Sequence, residues 1–297
     1  MELRTLRSFL AVAHEENISR AAEFLHISQP ALSRQLMDLE TEFGKKLFIR
    51  GKRKVTLTQA GVLLRKRATE IIDLAEKTES DLLESTETIS GEVSIGTGET
   101  DGILLIGQIT KVIKKEYPDI YYDLVSGDGS DVFEKLDRGN LDFGLCLGPV
   151  DLNKYNQLPL PFFDTWGVLM RSDAELADKE TIHPEDLWDK PLCLSRQATA
   201  SGYLESWLKK DIKDLKIYSY HNLISNTATL IEEYGGYAIT LNQRMHTAGN
   251  RNLSFIPLEP ALTYNLSLVW KKYQVFSPAA QKFLETAEEL FATEERS

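Results

Sequence analysis

A chain of 297 residues has room for two or three domains with ordinary cores. It contains no run of about 18 apolar residues, so no membrane span is expected. Acidic residues near the first apolar stretch, without a small-residue cleavage site, argue against a secretory leader. The net charge of -11 is unevenly distributed, with +6 on residues 1–67, -6 on residues 68–90 and -11 on residues 91–297. A basic head on an acidic body points to an anionic polymer as the head's partner and to something else for the body. Cys146 and Cys193 sit in strand-like apolar runs and are expected as buried thiols of a cytoplasmic protein, without a disulfide.

"LRTLRSFLAVAHE" spaces Leu3, Leu6, Phe9, Leu10 and Ala13 on one helical face. Ser19 is expected to cap a second short helix, whose Ala21–Ala22 pair permits close helix approach. "HIS" then turns the chain into "SQPALSRQLMDLE". Here Ser28 suits an N-cap, and Pro30 falls in the first turn, where no intrahelical N–H is needed. The proline therefore starts the helix. Leu32, Leu36, Leu39 and Phe43 form its buried stripe, while Pro30, Arg34, Met37 and Thr41 point away, with Ser33 on the flank and Gln29 at the tip. Such a tip suits insertion into a major groove, where Gln reads adenine and Arg reads guanine. The same stretch also fits a capped surface helix, but the preceding helix and short turn favour a helix-turn-helix. After Gly44, "KLFIR" and "KVTLT" read as strands around a "GKR" turn. The hairpin carries Lys45, Lys46, Arg50, Lys52, Arg53 and Lys54, a basic wing for phosphates or the minor groove.

These elements resemble the LysR-type transcriptional regulators. The resemblance rests on Ser19-Arg-Ala-Ala-x-x-Leu25, "SQPALSRQLMDLE", "LFIR" and "VTLTQAG", and runs without a gap over about the first 65 residues. On it, Gln29, Ser33 and Arg34 read bases, beside Pro30 and Met37, while Ser28, Arg50, Lys52 and Arg53 hold backbone or minor groove.

Thr58 is expected to cap a long helix reaching about Ser85, roughly 40 Å in length. Leu64, Ala68, Ile71, Ala75, Thr78 and Leu82 alternate steps of four and three, a coiled-coil seam that favours self-pairing over packing on its own domain. The resemblance implies antiparallel linker-helix pairing into a dimer or tetramer, whose heads read a pseudo-palindromic operator on double-stranded DNA. RNA polymerase is a further partner open to such a regulator.

From Gly91 strands and helices alternate, an α/β pattern with a mostly parallel sheet expected in each of two lobes. The resemblance implies periplasmic-binding-protein-like lobes, with the chain crossing near 162–164 and returning near 264–266. Overall an α+β protein is expected, with a winged helix-turn-helix at 1–58, a linker helix at 59–89 and a two-lobed effector-binding domain at 90–297. Lobe 1 covers about 90–162 and 266–297, and lobe 2 about 163–265. Four strand-to-helix turns, "GTGET", "SGDGSD", "SRQATAS" and "SNTA", are rich in small polar residues and offer N–H groups to a small ligand, an anionic one included. They supply Gly98 and Thr100, Gly129 and Ser130, Ser195, Arg196, Thr199 and Ser201, and Asn226 and Thr227. Such residues also cap ordinary helices. The family's effector pocket maps onto Thr100 and onto residues near Arg196–Ser201, and Arg196 could pair with a carboxylate. In place of the family's G-x-G-I-x-x-L-P, the chain has "GGYAITLN", so Tyr237 and Asn242 are expected to reshape that side.

Enzyme readings find little support. "IGTGETDG" has Asp101 where a dinucleotide fingerprint needs its third glycine, and "DGSD" lacks the spacing of a calcium loop. The five histidines are scattered and no G-x-S-x-G occurs, so neither a metal nor a cofactor is expected. The expectation is a regulator modulated by a small effector. A binding or transport protein with an interaction head, and an α/β enzyme, are the alternatives.

Overall fold

The first three helices follow from local capping and one shared apolar core. In the computed structural model, which describes residues 1–51, 54–83, 89–242 and 252–291, they are α1 (Leu3–Glu15), α2 (Ile18–Phe24) and α3 (Gln29–Phe43). Asn17, and not Ser19, caps α2, accepting from the backbone N–H of Ser19 and Arg20 at 2.9 and 3.1 Å. Asn is as good an N-cap as Ser and stands two residues earlier, so the helix begins sooner. His26 takes a left-handed φ of 54° in the α2–α3 turn. Ser28 caps α3 through the Ala31 N–H, Pro30 lies in its first turn, and Gly44 closes it with φ 62°.

Leu32, Leu36 and Leu39 of α3 are fully buried against Leu6, Phe9 and Val12 of α1. Phe43 departs from the expected stripe and is exposed, whereas Glu40 is buried. Its Oε1 accepts from the backbone N–H of Leu47 and Phe48 at 2.8 and 3.2 Å, and its Oε2 binds Lys46 at 2.7 Å. Burial raises its pKa, but the Lys46 bond and the two backbone donors outweigh that and hold the carboxyl below its ordinary value. Leaving those N–H groups without an acceptor would cost about 1–3 kcal/mol each. Glu40 thus fixes where the wing leaves the core.

The wing pairs β1 (Phe48–Arg50) antiparallel to β2 (Val55–Leu57), with Ile49 opposite Thr56. Thr58 caps α4 (Gln59–Leu83), accepting from Gly61 N–H at 3.0 Å. The expected pairing seam is only partly available. Ala68 is buried in the head core and Leu64 packs against it, joined by Ile72, while Ile71 is exposed together with Leu63 and Leu74. The side chain of Leu82 lies outside the described residues. A helix drifts relative to a strict heptad, and α1 claims one face of this one, with Arg7 reaching Glu76 at 3.2 Å.

Residues 1–83 and 84–297 form separate compact units. In the second, β3 (Gly91–Thr97), β4 (Ile120–Ser126) and β5 (Phe143–Leu147) run parallel, with α5 (Ile103–Glu116) and α6 (Gly129–Asp137) between them. β7 (Leu192–Ser195), β8 (Ile217–His221) and β9 (Tyr237–Leu241) form a second parallel set, with α7 (Arg196–Ala200), α8 (Tyr203–Leu208) and α9 (Ser225–Tyr234) as connections. Two long strands, β6 (Tyr155–Arg171) and β11 (Thr263–Lys271), run antiparallel through both halves, and β10 (Leu253–Pro257) pairs with β6. The sheets are therefore parallel only away from the strands that join them. α10 (Pro278–Phe291) returns to the first lobe, burying Phe283 against Phe143. β6 and β11 pass each other at Asp164 opposite Tyr264, with a bulge between Asn265 and Ser267.

Candidate DNA-reading and ligand-binding sites

On the head, the cap, the proline and the buried leucines aim the rest of α3 outward. Ser28, Gln29, Pro30, Arg34 and Met37 are exposed and Ser33 is half-buried. Gln29 Nε2 donates to Ser33 Oγ at 3.0 Å, so two of the expected base readers are joined at the tip. Of the wing cations, Lys54 binds Glu16 at 2.6 Å and Lys46 binds Glu40, so both brace the fold. Lys52, Arg53 and the side chain of Arg50 lie outside the described residues.

In the second unit, a cavity of about 350 Å³ opens at the carboxyl ends of both parallel strand sets, the usual ligand position in α/β folds. Of the turn residues, Gly98, Thr100, Gly129, Ser195 and Ser201 line it. Ser130, Arg196, Thr199, Asn226 and Thr227 do not. Arg196 is exposed and lies over the Tyr220 ring, 5.5 Å from its centroid, so its guanidinium is directed at an aromatic face. Ser130 donates to Asp128 within the α6 cap, and Thr227 is buried in α9. Tyr237 packs into the second lobe's core and Asn242 donates its N–H to Thr165 O at 2.9 Å, so neither narrows the cavity.

The turns are polar because the protein uses them itself. α9 has no side-chain cap of its own. Glu99, from the other lobe, accepts from the backbone N–H of Ile224, from Ser225 N–H at 3.2 Å and from Ser225 Oγ. A carboxylate on a helix N-terminus is favoured by the backbone dipoles. Asp128 caps α6, whose Gly129 N–H donates at 3.0 Å to Gln197 Oε1 from the facing lobe. Ser195 caps α7. Glu99, Asp128 and Gln197, absent from the sequence reading, thus span or rim the cleft.

Two buried titratable groups sit beside these bridges. Asp164 is 2% exposed and accepts from Thr100 Oγ1, which itself accepts from Gly102 N–H at 3.0 Å. Burial pushes the Asp164 carboxyl up to about 6, against the opposing Thr100 bond and with help from Asp101. His221 lines the cavity, and burial pulls its imidazole down to about 4 despite the nearby Glu99. Cys146 also lines the cavity as a free thiol that burial pushes up to about 12, while Cys193 is free and fully buried. Among the described residues no cluster of metal-ligating side chains occurs, and no helix is long and apolar enough to cross a membrane.

A proline-led third helix with a wing on one unit, and a cleft between two α/β lobes on the other, define a DNA-binding regulator that carries a ligand-binding domain. Residues 3–62 match the bacterial regulatory helix-turn-helix proteins of the lysR family, and residues 86–292 match the LysR substrate binding domain. The chain belongs to the LysR family of transcriptional regulators, which are not enzymes. It is 31% identical over 301 residues to the Hca operon transcriptional activator HcaR of Escherichia coli (strain K12), covering 99% of each chain. It is 27% identical to the HTH-type transcriptional regulator BsdA of Bacillus subtilis (strain 168), covering 96% of this chain and 99% of that one. The fold matches full-length CbnR in complex with its target DNA, with a TM-score of 0.74, 19% identity, and coverage of 97% of this chain and 99% of that one.

Proposed function

We propose that this regulator reads its operator through the tip of α3 and takes its effector in the interlobe cavity. Gln29, Ser33 and Arg34 contact bases with Met37 beside them, Pro30 starts the tip, and Ser28 meets phosphate. Arg50, Lys52 and Arg53 of the wing add backbone or minor-groove contacts. The observation that carries this reading is the outward, exposed set on α3, opposite a fully buried leucine stripe. The chain divides for function into a reading head at 1–58, a linker helix at 59–89 and an effector domain at 90–297. Two copies pair through the exposed Leu63, Ile71 and Leu74 side of α4, as a dimer or tetramer on a pseudo-palindromic site. The protein works in the cytoplasm, where RNA polymerase is a further partner. An effector that prefers one arrangement of the lobes biases the heads on DNA.

Mobility shifts on the chain's own upstream DNA at two salt concentrations test the reading. Counterion release predicts an affinity falling about 10³-fold or more between 50 and 200 mM salt if roughly six or more phosphates are neutralised. Binding that ignores salt would exclude the head from DNA.

A further inference from the structure

We infer that the effector carries no negative charge and is a ring-sized molecule with a hydrogen-bond acceptor, seated between Trp166 and His221. The inference rests on the interlobe cavity being the effector site. Both side chains line that cavity. Trp166 is 9% and His221 7% exposed, and Trp166 Nε1 and His221 Nδ1 are buried without a hydrogen-bond partner among the described residues. Trp188 and Trp207, by contrast, donate to the carbonyls of Leu208 and Pro260 at 2.9 and 2.8 Å. A buried donor left unmade is costly, and a bound molecule is a recurring reason for one to persist. An indole N–H is donor only, so what it lacks is an acceptor.

Among the described residues, the charged groups that line the cavity are acidic and disfavour an anion. No Lys or Arg lines it among the described residues, while Glu99 and Asp128 do. Two of the helix N-termini at the cavity are already occupied by carboxylates, α9 by Glu99 and α6 by Asp128, while α7 is capped by the neutral Ser195. An anionic ligand would have to displace Glu99 or lie beside both carboxylates. The remaining wall suits a ring. Tyr203 and Tyr264 meet edge-on at 5.3 Å, and Phe133 lines the same space.

Calorimetry on the full-length protein with benzamide, benzyl alcohol, benzylamine and benzoate tests the inference. The two uncharged probes should bind at least tenfold more tightly than benzoate, with protonated benzylamine, which has no acceptor for the indole N–H, between them. Trp166→Phe should weaken the uncharged probes about tenfold, and Glu99→Gln should narrow the gap by improving benzoate several-fold. The far-ultraviolet spectrum of each variant confirms folding. Benzoate binding best, and still weakened by Trp166→Phe, would overturn the charge assignment and leave the interlobe site standing. Probe binding indifferent to both substitutions would place the ligand elsewhere and remove both readings. Failure of every probe at millimolar concentration would contradict a preformed ring-sized site.

Discussion

Replacing Arg34 by Ala should weaken operator binding by roughly five- to over a hundredfold, about 1–3 kcal/mol, and relax discrimination at one base pair per half-site. Arg34 is exposed on α3, on the side opposite the buried Leu32, Leu36 and Leu39. The substitution therefore removes a planar bidentate donor without opening a core cavity, and Ala is a better helix former than Arg. Stability of the head should be unchanged within about 0.5 kcal/mol, the usual range for surface changes. Fluorescence anisotropy on operator variants measures the loss at each base pair. An unchanged isotherm would remove Arg34 from the reading surface.

The second large effect is hidden in the intact protein because two buried groups cancel. Asp164 titrates near 6 in the fold against an ordinary 3.8, so between about pH 4 and 6 the unfolded chain releases a proton that the fold keeps. That lowers stability as pH rises, by about 1.4 kcal/mol per unit at most. His221 titrates near 4 against an ordinary 6.5, so over nearly the same window the unfolded chain holds a proton that the fold excludes. That raises stability as pH rises, by a similar slope of about 1.4 kcal/mol per unit. Relative to the parent, Asp164→Asn should gain about 2–3 kcal/mol of unfolding free energy on going from pH 4 to 6, and His221→Asn should lose about as much. Urea unfolding across this window reads the differences, since other carboxylates contribute alike to all three proteins. Curves of both variants parallel to the parent would show that neither group is held from its ordinary value.

The head was legible because its signals are local. Ser28, Pro30 and Gly44 act within a turn of where they stand, and the leucine stripe needs only helical spacing. Two failures in the head come from contacts beyond the helix that carries the residue. Glu40 looks like a surface residue until Leu47 and Phe48 bring their N–H groups to it. Ala68 looks like part of a pairing seam until α1 covers it.

In the second unit the alternating elements could be read, but the long crossing strand β6 could not be seen whole. Pro159 and Pro161 interrupt it, and proline within a run argues against a strand. It is kept because β11 bulges close by, between Asn265 and Ser267. The cavity was half legible. Polar turns at strand ends mark where it lies, yet they do not reveal that Glu99 reaches a helix 125 residues further on, or that Gln197 reaches Gly129. Ring-wall residues such as Trp166 and Tyr264 come from the crossing strands, which carry no turn signal.

Guanine methylation interference on the operator tests the presentation of α3 to the major groove most directly. A methyl group at N7 blocks the edge that an arginine fork would grip. At least one guanine in each half-site should abolish binding by the parent protein when methylated, and Arg34→Ala should be indifferent to that methyl group. Interference confined to adenine N3 in the minor groove, with every guanine tolerant of methylation, would contradict it.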